Sequence, residues 1–369
     1  MRSAFRILLA CFAVLDCCAL AGAMQPGIEA RDVPLLRTPS QAQLLSPPTD
    51  DGPVVIRARF DLYNINEIND ESETFEFAGV LTLQWLDPRQ AFDPAAEGVD
   101  EKVFQGAYQF DEVSTGWYPQ VVLVNESGLF ETNGVVLRVR PNGTSTLIVT
   151  LNAAAESDLN MRRFPLDSHR LEAIFEVLGF DRDEVVFALM EADSAVATGK
   201  TIDVPEWNVT TIKMDVRERS AAYAGIRGVS SSFAFTIEVR REPFYIIRLI
   251  VFPLVIIVFL SFAVFWMDRS SPGDRISVSF IGILTGVAYQ IVMSDHMPRI
   301  AYFTLMHAFL NISFLTMCAT VVVNLLVGGL NMRDRAAAGD RLDRRCRWLF
   351  PLCYLGLNGA TVWLALKIF

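Results

Sequence analysis

Between Asp274 and Asp295, seven side chains recur at steps of three and four: Asp274, Ser277, Ile281, Leu284, Ala288, Ile291 and Asp295. Residues so spaced share one face of a helix. At 1.5 Å per residue the stripe is roughly 30 Å long, about the thickness of a hydrocarbon core. An acid, a hydroxyl, a set of apolar side chains and a second acid do not suit contact with lipid, because acids at a membrane face water or a partner. The chemistry open to such a face is the handling of ions, and the stripe reads as the wall of a pore. Taken alone, Asp274 and its neighbour Arg275 are also compatible with ordinary interfacial charges at a helix end.

Other chemistries find little support. The sequence has no nucleophile motif and no glycine-rich phosphate loop, which argues against an enzyme. His169, His296 and His307 are scattered over different elements, and no zinc-ligand spacing occurs, so neither a metal nor a cofactor is expected. A formal net charge of -10 argues against nucleic acid, which needs a basic face, and would instead enrich cations near the surface. A transporter would call for internal repeats and broken helices, and neither is visible.

The elements that must position the stripe follow from the chain in order. Over 369 residues, 52% are hydrophobic and the mean hydropathy is +0.32, values that suit a membrane protein carrying a soluble domain. Residues 1–23 hold Arg2 and Arg6, an apolar core and the small residues Ala19, Ala21 and Ala23, the pattern of a secretory leader. Residues 24–53, rich in Pro, Ser, Gln and Asp, read as a lead-in segment. From Val54 to about residue 242, short alternating β-rich runs are bounded by Gly, Asn, Asp and Pro, as in Pro141-Asn142-Gly143, which predicts an all-β sandwich. Its sequons at Asn125, Asn142 and Asn208 are read as turn and cap residues. No cysteine lies between Leu20 and Met317, so this exported domain has no disulfide to support it.

Residues 243–369 predict four membrane helices, at about 245–266, 274–293, 301–327 and 348–368. Pro253 within the first is tolerable where neighbours satisfy the freed carbonyl. Arg333, Arg335, Arg341, Arg344, Arg345 and Arg347 crowd the connection before the last helix and mark it as cytoplasmic. The β domain and the C-terminus then lie outside or in the periplasm, with the chain in the plasma or inner membrane.

Several motifs together resemble the pentameric ligand-gated ion channels, the Cys-loop receptor superfamily. FPLDSHRLEAIFEVLGFD resembles the signature loop, with Phe164, Pro165 and Asp167. LQWLDPRQAF supplies Trp85, Asp87 and Arg89; GWYPQVVLVN supplies Trp117, Pro119 and Asn125; VRREPFYIIRLIVFP supplies Arg241 and Pro253. GDRISVSFIGIL resembles the start of a cation-channel pore helix, and Pro298 stands where the following linker carries a proline. The series is collinear from about Val54 to the C-terminus. The cysteines flanking the signature loop are missing, with Leu171 where the second would stand, and the cytoplasmic loop is short. Both departures are similar to the prokaryotic branch.

The resemblance implies a homopentamer around a central pore, with membrane lipid around it and a small-molecule agonist or protons as the signal. Permeant monovalent cations would pass a filter of Asp274 and Ser277, and Ile281, Leu284, Ala288, Ile291 and Asp295 would line the pore and gate it. Asp70, Asp167, Arg241, Pro298, Arg299 and Tyr302 would couple the β domain to the pore. Candidates for sensing a ligand or protons are Glu73, Glu176, Phe180, Asp181 and Tyr223. Val80, Val124 and Leu178 stand where a cage for organic cations would place aromatics, and Trp85 and Trp117 look like core residues. Glu73 matches an acid of proton-gated relatives, whereas Gly286 stands where those relatives carry a histidine. Phe280 and Ile283 are expected to pack against other helices. The alternative is a non-conducting sensor anchored by four helices.

Overall fold

The computed structural model describes residues 46–48, 52–106, 116–190, 204–220, 228–267, 272–294, 297, 299–333 and 336–368. The leader, almost all of the lead-in segment, Tyr223, Asp295 and Pro298 lie outside these residues. Ten strands come first: β1 (Val54–Asn69), β2 (Thr74–Leu86), β3 (Lys102–Gln105), β4 (Val121–Leu123), β5 (Glu126–Val139), β6 (Thr144–Glu156), β7 (Ser168–Val177), β8 (Val185–Leu189), β9 (Trp207–Ser220) and β10 (Val229–Arg241). They form a sheet of order β3-β5-β6-β2-β1-β8 and a second of order β4-β7-β10-β9. All pairings are antiparallel except β1 with β8.

The two sheets meet through the inward residues of alternating strands, as a period of two requires. Phe75, Phe77, Leu81, Leu83 and Trp85 of β2 are buried, as are Leu171, Ala173, Phe175 and Val177 of β7. Phe60 of the larger sheet sits 4.6 Å from Phe235 and 5.9 Å from Phe175 of the smaller, ring centre to ring centre. Trp85 and Trp117 are core residues, edge to face at 5.9 Å. At the β5–β6 turn, Gly143 has φ +83, and a Cβ there would lie 2.3 Å from the Asp87 carbonyl, so glycine is required on both counts. Asn142 accepts from Thr144 N–H as a turn-forming group, whereas Asn125 uses its side chain on the distant backbone of Glu156, Glu172 and Ile174 and ties strands together.

Four helices follow, each long and apolar enough to cross a membrane: α1 (Phe244–Trp266), α2 (Pro272–Met293), α3 (Leu305–Met332) and α4 (Ala336–Ile368). In α1 a π-helical turn at Ile247–Val251 precedes Pro253. Proline lacks an N–H and crowds the carbonyl four residues back. That carbonyl, Leu249, accepts a hydrogen bond from the Tyr289 hydroxyl of α2. The tyrosine therefore supplies from the neighbouring helix what proline removes from its own.

Three boundaries in the last two helices differ from the sequence reading. The third helix begins at Leu305 rather than Ala301, with the Thr304 side chain accepting from His307 N–H as its cap, and it continues past Val327 to Met332. The fourth begins at Ala336, well before the apolar run at Trp348. Ala, Arg and Leu are strong helix formers irrespective of polarity, so hydropathy locates the membrane segment but not the start of the helix.

Candidate functional site

The stripe of the sequence reading falls on one face of α2. Asp274, Ser277, Ile281, Leu284, Ala288 and Ile291 are all exposed on the protomer, with Ile281 at 62%, Leu284 at 70% and Ile291 at 66%. Elsewhere on α2, Ser279 and Gly286 are buried, Gly286 against Met317 of α3, and Ile283 packs into the apolar cluster that holds Val258 and Phe262 of α1 and Met317 of α3. Phe280 departs from expectation, being 56% exposed. It follows Ser277 by three residues and so lies on the flank of the stripe rather than opposite it.

The junction between the β domain and the helices is built around Arg241, the last residue of β10, which is 4% exposed. Its Nε donates to Asp167 at 3.1 and 3.3 Å, its Nη2 to Asp70 at 2.6 Å, and its Nη1 lies 3.9 Å from Glu206. The guanidinium also stacks on Trp207 at 4.1 Å and Phe164 at 4.9 Å. Asp167 takes a further contact from the buried His169 at 2.5 Å. Sequence reasoning named both acids but missed His169, Glu206, Phe164 and Trp207. Asp167 and His169 are two apart at the start of β7, a spacing that puts both on one face and was the available signal.

The linker from α2 to α3 engages the same loops. Tyr302 donates its hydroxyl proton to the Leu159 carbonyl at 3.1 Å and accepts from Met161 N–H at 3.0 Å, locking the linker to the signature loop. Arg299 lies 3.9 Å from Glu71 in the β1–β2 turn, an exposed pair of small energetic weight. A cavity of about 360 Å³ opens at this junction, bordered by Asp70, Glu71, Glu206, Arg241, Tyr245 and Met297.

The electrostatics of the two acids differ. Burial opposes the charged form of Asp167, but His169 and Arg241 outweigh it and hold its carboxyl below the ordinary value of 3.8. Burial dominates at Asp70 and raises it, against the pull of Arg241. A depressed carboxylate adds stability above its unfolded pKa and loses it as pH falls through the folded one; a raised carboxylate has the opposite sign. Asp167→Asn is therefore expected to lower the melting temperature at neutral pH, with the gap to the parent closing in acid below 3.8. A gap that stays constant across pH in thermal melts would count against this role.

The sensing candidates do not converge. Glu176 is fully buried on β7, and one of its oxygens accepts from Ser232 at 2.8 Å. Phe180 packs edge to face on Trp117 at 6.0 Å, and the Asp181 carboxylate accepts weakly from Val229 N–H at 3.4 Å. Glu73 lines a different cavity of about 630 Å³, with Asn125, Glu156, Asp158, Arg170 and Glu172. Among the described non-glycine residues, Glu73 and Glu206 have left-handed backbones, at φ +54 and +67.

Comparison with known proteins bears on this arrangement. The model of the neurotransmitter-gated ion-channel ligand-binding domain matches residues 38–243, and that of the corresponding transmembrane region matches residues 250–340. A proton-gated ion channel of Gloeobacter violaceus is 26% identical over 85% of this chain and 83% of its own length. The human gamma-aminobutyric acid receptor subunit rho-2 is 24% identical over 84% of this chain and 64% of its own length. A pH-sensitive chloride channel 2 of Anopheles gambiae is 24% identical over 68% of this chain and 42% of its own length. These are channels and receptors rather than enzymes, set in membranes by four helices with the β domain outside. The chain belongs to the neurotransmitter-gated ion-channel family, the pentameric ligand-gated channels that include the Cys-loop receptors.

Proposed function

We propose that the chain is the subunit of a homopentameric, cation-selective channel opened by protons or a small-molecule agonist acting on the β domain. The observation that supports it best is the α2 stripe: six pore-facing candidates exposed together, with an acid and a hydroxyl at the cytoplasmic mouth. Five copies of Asp274 around one axis concentrate cations and repel anions. The relatives include one named for chloride, so the sign of selectivity rests on this chain's own residues. Protons are the first agonist to try, because two relatives carry a response to acid in their names. Coupling runs from the β domain through Asp70, Asp167 and Arg241 to Arg299 and Tyr302, and from there to α2.

Purified protein in planar bilayers, tested across pH and with a panel of small amines and amino acids, is expected to conduct with a reversal potential near that of the monovalent cation. Asp274→Asn should move the reversal toward zero. A reversal at the chloride potential overturns the role given to Asp274. Absence of current under every condition returns the chain to an anchored, non-conducting sensor.

A further inference from the structure

Arg275 stands beside Asp274 in the first turn of α2, where a cation would work against an acidic filter. It is turned away from the pore face and is 3% exposed. Its Nη1 and Nη2 each donate to one carboxylate oxygen of Asp343, both at 3.0 Å, and Nη2 also donates to Asn324 at 3.0 Å. Asn324 in turn donates to the Ser279 hydroxyl at 2.7 Å, which donates to the Arg275 carbonyl at 2.9 Å. Asp343 is 0% exposed and Asn324 4%. Three helices thus meet on one guanidinium at the cytoplasmic end of the bundle.

We propose that Asp343, an acid within the arginine-rich stretch of α4, is a positioning residue that sets ion selectivity by clamping and neutralising Arg275. The proposal rests on the reading of Asp274 as the filter. Neighbouring residues on a helix point about 100° apart, so holding Arg275 against α3 and α4 leaves Asp274 directed at the pore. A guanidinium keeps its charge in proteins, and its planar fork matches a carboxylate in two-bond geometry. Without Asp343 that charge is buried and unpaired, a strongly unfavourable state. Its flexible stem lets it seek water at the cytoplasmic end of the bundle, where the pore mouth opens. Five arginines there would offset five Asp274 carboxylates.

The test compares reversal potentials in salt gradients for the parent, Asp343→Asn, Asp343→Glu, the double variant Arg275→Met with Asp343→Leu, and Asp274→Asn. Asp343→Asn is expected to lower the cation-to-chloride permeability ratio by roughly tenfold, because an unscreened charge at the mouth acts on every passing ion. Asp343→Glu should keep most of the parental ratio, and the double variant, with neither charge, should restore it. A purely structural role for Asp343 would reduce current amplitude and leave the reversal potential where it was, which overturns the proposal. If Asp274→Asn also leaves the reversal unchanged, the filter reading itself has failed; if only Asp343→Asn does, the positioning role alone has failed. Should Asp343→Asn yield no channels at the surface, Asn324→Ala, which removes one bond to Arg275, must shift the reversal in the same direction, and a parental value there overturns the proposal.

Discussion

Channels carrying Leu284→Ser are expected to leak in the absence of any agonist. Leu284, at 70%, is the most exposed of the three large apolar stripe residues, with Ile281 one turn before it and Ala288 one turn after. A ring of such side chains blocks ions by dewetting, so no part of the path need be sterically sealed. Exchanging leucine for serine removes about 1 kcal/mol or more of apolar preference per copy, and five copies give roughly 5 kcal/mol. About 5.5 kcal/mol takes a two-state equilibrium from 1:99 to 99:1, so the shift is large enough to open most channels at rest. Leak current per surface channel is the readout. Ile283→Ser, one residue away on a face that packs into the apolar cluster of the bundle, should leave the resting leak near the parental level. Parental leak in Leu284→Ser places the gate elsewhere.

That the stripe shares one exposed face of α2 was legible because its signal is local: a period of 3.6 fixes which residues share a face, whatever the tertiary surroundings. The sandwich was legible for the same reason, from alternation with a period of two and turn residues such as Gly143. Partners far apart in sequence were less so. Asp70 and Asp167 were named for Arg241 through a family resemblance, and the hydrogen bonds join them. For Arg275 the sequence offered only a charge at a helix start, compatible with an ordinary interfacial role. Its partner lies in an arginine-rich stretch that also holds Asp334 and Asp340, where Asp343 is easily taken for one more solvated acid. A buried arginine at a membrane helix end requires a counter-acid, and that physical demand was the missed clue.

The agonist site remained illegible for a different reason. Glu176, Phe180 and Asp181 follow one another at the end of β7, but their contacts are set by long-range neighbours such as Ser232, Trp117 and Val229. Linear spacing says nothing about those neighbours. Glu73, by contrast, lines a cavity ringed by Glu156, Asp158 and Glu172 and crossed by one arginine, Arg170. The two groups are therefore separate candidates for sensing, and substitutions in one are not expected to mimic those in the other.

Arg241→Ala is expected to abolish acid- or agonist-evoked current while channels still reach the surface. Arg241 joins β10, which ends on it, to the turn that holds Asp70 and the loop that holds Asp167, and α1 begins three residues later at Phe244. Removing one partner of a buried ionic cluster costs about 3–5 kcal/mol, because the acids left behind are unpaired. If that cost falls on the coupled state, activation drops by roughly two to four orders of magnitude. Arg241→Lys should rescue poorly: an ammonium cannot serve Asp70 and Asp167 with a planar fork while stacking on Trp207 and Phe164. The decisive comparison pairs Arg241→Ala with Leu284→Ser. A gate downstream of the junction should still leak in the double variant, which shows that the pentamer is assembled and that only transmission has been lost. Parental evoked current in Arg241→Ala, or a double variant present at the surface that does not leak, removes Arg241 from the path between sensor and pore.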